Sequence, residues 1–382
     1  MVISEVRVYS YPIKLPHPFK TSLGETSEKE EIIVQILDES GRAGWGEASP
    51  STTILASTPA TITAALEQLA PILLGEDPRR LEWLIGLMDE ALNGNSPAKA
   101  ALDIALHDLV GNIWNEPVWI MLGGYKAEPI DTDYTVVIGP VEEMVADAKG
   151  LVARGFDTLK IKVGLDPAKD IKAVTRIREA VGEGVNLRID ANQGYTRQEA
   201  VWALRRMEEL GIQFVEQPVA AADIEGLRYV RQKTGIPVMA DESVFSPADA
   251  IRVIKEEAVD YINIKLMKSG GLFRARQIAD IATAAGIQCM IGGMVETNLS
   301  ATAAIHFAKS HQGIAFRDLD LGVIPEERLI TVGGATLRGK FHYLDPGPGL
   351  GIKELDTERL GEPLAVYEQS NKGRWERKKS AV

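Results

Sequence analysis

Eight short apolar runs, separated by amphipathic stretches with helical spacing, constrain this chain more than any other feature of its sequence. They are DTDYTVVI (131–138), TLKIKVG (158–164), NLRIDAN (186–192), FVEQPV (214–219), PVMADES (237–243), YINIKL (261–266), QCMIGG (288–293) and AFRDLD (315–320). Runs this short, bounded by loop residues, read as buried parallel strands. Eight of them with intervening helices close into a (β/α)8-type barrel, which places the chain in the α/β class.

Ahead of the barrel, strand patterns (EVRVYSYPIKL, EEIIVQILD, GRAGWGEA) mix with helical ones, which predicts an α+β N-terminal capping domain over residues 1–125. In NSPAKAALDIALHDLVGNIW, Ser96 suits an N-cap and Pro97 the first turn, while Ala101, Ile104, Ala105 and Leu109 recur at helical spacing. MLGGYKAEP punctuates the chain near residues 122–129. The barrel is expected over 126–330, and the segment 331–382 is expected to return and complete the cap. The glycines of GPGLGI neither follow a barrel strand nor open a helix, so they read as a turn and not a dinucleotide loop.

In such a barrel the reactive groups stand at the C-terminal ends of the strands. Here the second strand offers Lys160 and Lys162, the third Asp190 and Asn192, the fourth Glu216, the fifth Asp241 and Glu242, the sixth Lys265 and Lys268, and the eighth Asp318 and Asp320. Asp190, Glu216 and Asp241 on successive strands would converge and raise one another's pKa values. A hard divalent cation resolves that repulsion, and an all-oxygen site with room for water and substrate suits Mg2+ better than Zn2+. The alternative is that these acids simply pair with the lysines. Lys160 and Lys162 point the same way by the two-residue period, so one lysine is expected to lose basicity and approach the operating pH. Lys265 faces them from across the mouth and shares parity with Asn263, whereas Lys268 in the loop KSGG reads equally well as solvated. Two bases on either side of a metal point to racemisation or epimerisation, with the cation stabilising the enediolate that a carboxylate substrate becomes.

A formal charge of −12 argues against nucleic acid as a partner, and no apolar run approaches the roughly 18 residues of a membrane span. The start MVISEVRVYSYPIKL lacks a basic segment followed by an apolar one, so a cytoplasmic location is expected. Cys289, within IQCMIGG, reads as a buried structural thiol, and the five histidines form no zinc pattern. The basic tail NKGRWERKK reads as a frayed, solvated terminus.

The motifs KIK, DAN, EQP, ADES and NIKLMKSGG, on strands two to six, resemble the enolase superfamily and, within it, the muconate lactonizing enzyme subgroup. The resemblance covers essentially the whole chain. It implies that Asp190, Glu216 and Asp241 bind Mg2+, that Lys162 and Lys265 are the acid/base catalysts, and that Lys160 helps hold the substrate carboxylate and tunes Lys162. Strand seven ends in MIGGMVET without a histidine, which separates the chain from the mandelate racemase branch. In RDLDL, Asp318 and Asp320 share parity and resemble the Asp-x-Asp motif with which dipeptide epimerases grip a substrate's α-ammonium; pairing with Arg317 is the alternative. Thr135 on strand one is a further candidate for the lining.

The resemblance therefore implies a homo-oligomeric dipeptide epimerase that inverts the α-carbon of the C-terminal residue. Its substrate is a small molecule, with no nucleic-acid or membrane partner. A cycloisomerase or o-succinylbenzoate synthase would use the same metal and lysines, but its substrate carries no ammonium to satisfy Asp318 and Asp320. A non-catalytic binding barrel would have little use for the converging charges. PFKTSLGET resembles the substrate-covering loop of L-Ala-D/L-Glu epimerases, except that Gly24 stands where those enzymes carry an arginine for the glutamate side chain. Lys20 offers a substitute cation, Ile54 and Leu55 suit an apolar side chain, and Glu25 suits a cationic one, so the side-chain specificity stays open.

Overall fold

The computed structural model describes residues 1–320, 328–369 and 375–379. Residues 321–327, within the expected barrel span, and residues 370–374 and 380–382, within the expected returning segment, lie outside the described residues. All eight expected strands are present, as Tyr134–Val136, Thr158–Lys162, Asn186–Asp190, Ile212–Glu216, Val238–Ala240, Tyr261–Lys265, Gln288–Gly292 and Ile314–Asp318. They form one sheet in sequence order with parallel pairing. The amide of Asp133 donates to the Arg317 carbonyl at 3.3 Å and links the first strand to the eighth, so the sheet nearly closes into a ring. Each strand ends one to three residues before its apolar run does, because those last residues turn into the loops of the mouth. Helices fill the seven intervals between strands, and among the described residues no barrel helix follows the eighth strand. No helix among these residues is long and apolar enough to cross a membrane.

The two-residue alternation sorts each strand's side chains. Leu159, Ile161, Leu187, Ile189, Val215 and Ile264 belong to the main core that packs strands against helices. Phe214, Met239 and Met290, joined by Tyr261 and Phe316, make a separate cluster within the ring. Its three aromatic rings meet edge to face with centroids 4.9 to 5.9 Å apart. Two residues beyond Phe214, Met239 and Phe316 stand Glu216, Asp241 and Asp318. An apolar floor thus lies under a charged mouth, and side-chain parity places both.

In the cap, Ile3–Thr21 and Gly24–Asp38 form a long antiparallel hairpin that turns at Ser22 and Leu23. Ala43–Ala48 extends one edge, and the C-terminal strand Ala365–Gln369 pairs with the other, Glu5 opposite Glu368. The basic tail corrects its sequence reading: Trp375–Lys379 is an added outer strand, because an open sheet edge offers its main chain a full ladder of partners. Asn371–Arg374 lie outside the described residues. Helices Pro59–Leu73, Leu81–Ala91 and Ser96–Trp114 share an apolar core with this sheet. The third helix starts as expected, but its N-cap is Asn95, in the left-handed conformation that asparagine tolerates, and Ser96 is already helical. GPGLGI is the turn it was read as. Gly349 has φ +61°, a Cβ there would lie 2.2 Å from Asp108 Oδ1, and the next amide, Leu350, donates to that oxygen at 2.7 Å.

Candidate active site

The mouth brings together every residue singled out at the strand ends. Lys160 and Lys162 project from the second strand and Lys265 from the sixth, four strands away and therefore across an eight-stranded ring. Lys162 Nζ donates to Asp190 Oδ2 at 2.6 Å and to Asn192 Oδ1 at 3.2 Å. Lys265 Nζ donates to Asp241 Oδ2 at 2.7 Å. Lys160, 1% exposed, lies 2.6 Å from Asp318, 2.8 Å from Glu216 and 3.1 Å from Asp190. Lys268 is not solvated, which corrects the loop reading. It is buried, 2.6 Å from Asp241 Oδ1, and donates to the carbonyls of Asp241 and Asn263. Asp318 and Asp320 are buried together, with Asp320 accepting from the Thr135 amide at 2.7 Å, and Arg317 pairs with Asp131 instead of with them.

At Lys160 and Lys265 the surrounding acids decide the basicity. Burial disfavours the charge on Lys160, but Asp318, Glu216 and Asp190 outweigh it and raise the pKa; burial is likewise outweighed at Lys265 by Asp241 and Glu216. The sequence argument set one ammonium against the other, whereas the nearest charges in space are carboxylates. Burial also works against ionised Asp190, yet Lys162 and Lys160 hold it down at about 2. Burial and the neighbouring Asp190 push Glu216 up to about 7 against the pull of Lys160. Glu242, buried beside Asp241, is pushed up to about 8.

The donor set fits a hard cation. Asp190, Glu216 and Asp241 are fully buried at the ends of three adjacent strands. Glu216 Oε2 and Asp241 Oδ1 stand 2.8 and 2.6 Å from the ammonium groups of Lys160 and Lys268 without a directed hydrogen bond, so these two buried carboxylate oxygens keep lone pairs that a hard cation could share. The three acids do not close on one point. Among the described residues, the acids whose oxygens converge within 4.8 Å are instead Asp133, Asp318 and Asp320.

Sequence reasoning missed three supports of this site. Gln217, at φ +36°, accepts from the amides of Asp241 and Ser243 and so fixes the start of the loop that carries Asp241. Asn263 donates to Glu216 at 2.7 Å from its floor position. Arg188 holds Asp133 at 2.6 Å and lies over the rings of Phe214 and Phe316. Asn263 and Arg188 were legible as barrel-interior by parity, but their partners come from other strands; Gln217 has the opposite parity to Glu216 and turns to the loop after the adjacent strand.

A cavity of about 400 Å³ opens above the lysines, lined from below by Thr135, Lys160, Lys162, Asn192, Lys265 and Asp318. The cap supplies its roof. Ser22, at the hairpin tip, donates to the carbonyl oxygens of Ala191 and Asn192, both at 2.8 Å, and the Phe19 ring lies 5.9 Å from Lys162 Nζ. Of the residues considered for side-chain recognition, Gly24, Glu25 and Ile54 line the cavity, whereas Lys20 and Leu55 do not. Cys289 is fully buried and burial pushes its thiol up to about 12, as befits a structural residue.

A barrel carrying this order of lysines and acids, roofed by a cap of one sheet and three helices, matches known proteins over nearly its full length. Residues 3–123 match the mandelate racemase / muconate lactonizing enzyme N-terminal domain, and residues 143–359 the enolase C-terminal domain-like family. The chain belongs to this family. The L-Ala-D/L-Glu epimerase of Bacillus subtilis is 43% identical to it over 92% of this chain and 97% of its own. The hydrophobic dipeptide epimerase of Enterococcus faecalis is 41% identical, over 92% of this chain and 99% of its own. The structure of the dipeptide epimerase from Enterococcus faecalis V583, complexed with Mg and L-Leu-L-Tyr, superposes with a TM-score of 0.90 at 40% identity and covers 93% of this chain and 100% of that one.

Proposed function

We propose that this isomerase is an Mg2+-dependent dipeptide epimerase that inverts the α-carbon of the C-terminal residue. One observation carries the reading: Lys162 and Lys265 reach the same cavity from opposite walls, with Asp190, Glu216 and Asp241 on the three strands between them. A carbon held between a neutral lysine amine on one side and a lysine ammonium on the other can lose its proton to the amine and gain a proton from the ammonium on the opposite face, which inverts its configuration. In this reading Lys162 and Lys265 are those two groups, and Lys160 holds the substrate carboxylate. Asp190, Glu216 and Asp241 would hold the Mg2+, which supplies positive charge to the carboxylate oxygens of the enediolate. The cap hairpin excludes water through Ser22 and Phe19, and Asp318 with Asp320 takes the α-ammonium. The named activities and ligands of the similar proteins support the same conclusion. They give no comparable support to a cycloisomerase or o-succinylbenzoate synthase.

The outer wall bears on the side chain. Glu25, Glu28 and Glu30 line it beside Ile54. Among the described residues its one cation from the cap, Lys29, is committed to Glu31 at 3.0 Å and to the Val295 carbonyl at 2.5 Å. A neutral or cationic side chain suits such a wall better than an anionic one. The decisive experiment is incubation of the protein with a mixed L-Xaa-L-Xaa dipeptide library and Mg2+ in deuterated water. Mass gain at the C-terminal α-carbon, abolished by Lys162→Ala or Lys265→Ala, is expected; dipeptides free of label throughout would overturn the reading.

A further inference from the structure

Asp133 was not singled out by its sequence and does not line the cavity, yet it is 1% exposed and faces the pair read as the ammonium site. Oxygens of Asp133, Asp318 and Asp320 lie within 4.8 Å of one another. Each acid is tied by its Oδ2: Asp133 by Arg188 at 2.6 Å, Asp318 by Lys160 at 2.6 Å, Asp320 by the Thr135 amide at 2.7 Å. The Oδ1 of each is buried and without a hydrogen-bond partner. Three converging carboxylates with three unpartnered oxygens, two fixed cations and one amide are short of positive charge, and desolvated charge of one sign is costly until something cationic enters. Burial and the facing Asp318 accordingly raise the pKa of Asp133 in spite of Arg188. Asp318 gives this cluster its contact with the cavity.

We propose that Asp133 is a positioning residue for the substrate's α-ammonium: it backs Asp318 and Asp320 in a cluster of three carboxylates that takes up one added cationic group from the cavity side. Asp133 acts through the other two acids, orienting them and deepening their negative potential. Arg188, fixed by Gln213 at 3.0 Å and by the Arg317 carbonyl at 3.1 Å, holds it in place. The inference rests on the dipeptide reading above.

The test compares a dipeptide with its desamino counterpart, the L-alanyl dipeptide that the wild-type protein exchanges fastest and the matching N-propionyl amino acid, which differs only in lacking the ammonium. KM for the first and the competitive inhibition constant of the second are measured for the wild type, Asp133→Asn and Asp133→Ser. Asparagine keeps an acceptor for Arg188 while removing the charge, and serine provides a second variant should the first fail to fold. Loss of one charge from the cluster is expected to raise KM for the dipeptide by about tenfold and to leave the inhibition constant within about twofold. Equal weakening of both ligands, or an unchanged dipeptide KM, would overturn the proposal, since a merely structural residue does not distinguish them. Absence of exchange on every dipeptide by the wild-type protein would instead sink the epimerase reading, so the two failures are separable.

Discussion

The barrel mouth and the seam between cap and barrel both bury carboxylates, but they satisfy them with different partners. In the mouth, Asp190, Glu216, Asp241 and Asp318 face the ammonium groups of Lys160, Lys162, Lys265 and Lys268. In the seam, Glu47 accepts from the Thr297 amide at 2.8 Å, the Thr297 hydroxyl at 2.7 Å and the Ser300 amide at 2.8 Å. Those donors open the last barrel helix, Asn298–Ser310, so Glu47 also meets the positive end of its dipole. Glu296 accepts from the Met294 amide at 2.6 Å; Glu31 is the exception in the seam, with the Lys29 ammonium and the Ser49 hydroxyl as its partners. Backbone amides cannot leave a carboxylate without unfolding something, whereas an ammonium on a flexible stem can exchange one partner for another. The seam therefore locks the roof, and the mouth keeps its acids available to another cation.

That contrast can be broken from either side. The largest effect is expected in the mouth: Asp241→Asn, or chelation of the bound metal, should reduce α-proton exchange by about a thousandfold or more, with Mg2+ restoring the chelated wild type and not the variant. Thermal unfolding should show that the variant stays folded; exchange that survives both treatments would remove the metal from the site. In the seam the order reverses. Glu47→Ala strands two amides and a hydroxyl in a buried place and should cost about 3 kcal/mol in urea unfolding, with kcat on the folded fraction little changed.

The smallest effect concerns pH. Burial, with Lys29 opposing and Glu47 assisting, pushes Glu31 up to about 8; burial and Glu47 push Glu296 to about the same value. Both folded-state values lie above the unfolded one, so their contribution is fully present below the usual glutamate pKa of about 4.3 and is lost as pH rises through about 8. Glu296→Gln should flatten the fall in urea midpoint between those pH values. An unchanged slope would mean that Glu296 is ionised throughout and that the seam tolerates the charge.

How much of this was readable in advance depended on how far apart the partners lie. KIK, DAN and NIKLMKSGG placed Lys160, Lys162, Asp190 and Lys265 on the inner face because strand parity is a local property, and the eight-fold alternation of runs and helical stretches fixed the barrel. Lys268 was harder, because a loop lysine is recognisable as buried only once Asp241 and Asn263 are seen to surround it. The surroundings of Lys160 were hidden for the same reason: it was weighed against its neighbour in sequence, two residues away, while its strongest partner was 158 positions distant.

By itself, then, the sequence determined the architecture, the face on which each charge would stand, and the resemblance that named the chemistry. Only the tertiary structure decided which charges meet. It set Lys160 between three acids, brought Asp133 up to Asp318 and Asp320, and seated Glu47 of the cap on a barrel helix. Burial and distance govern electrostatic energies, and both are settled by closing the ring and docking the hairpin over it.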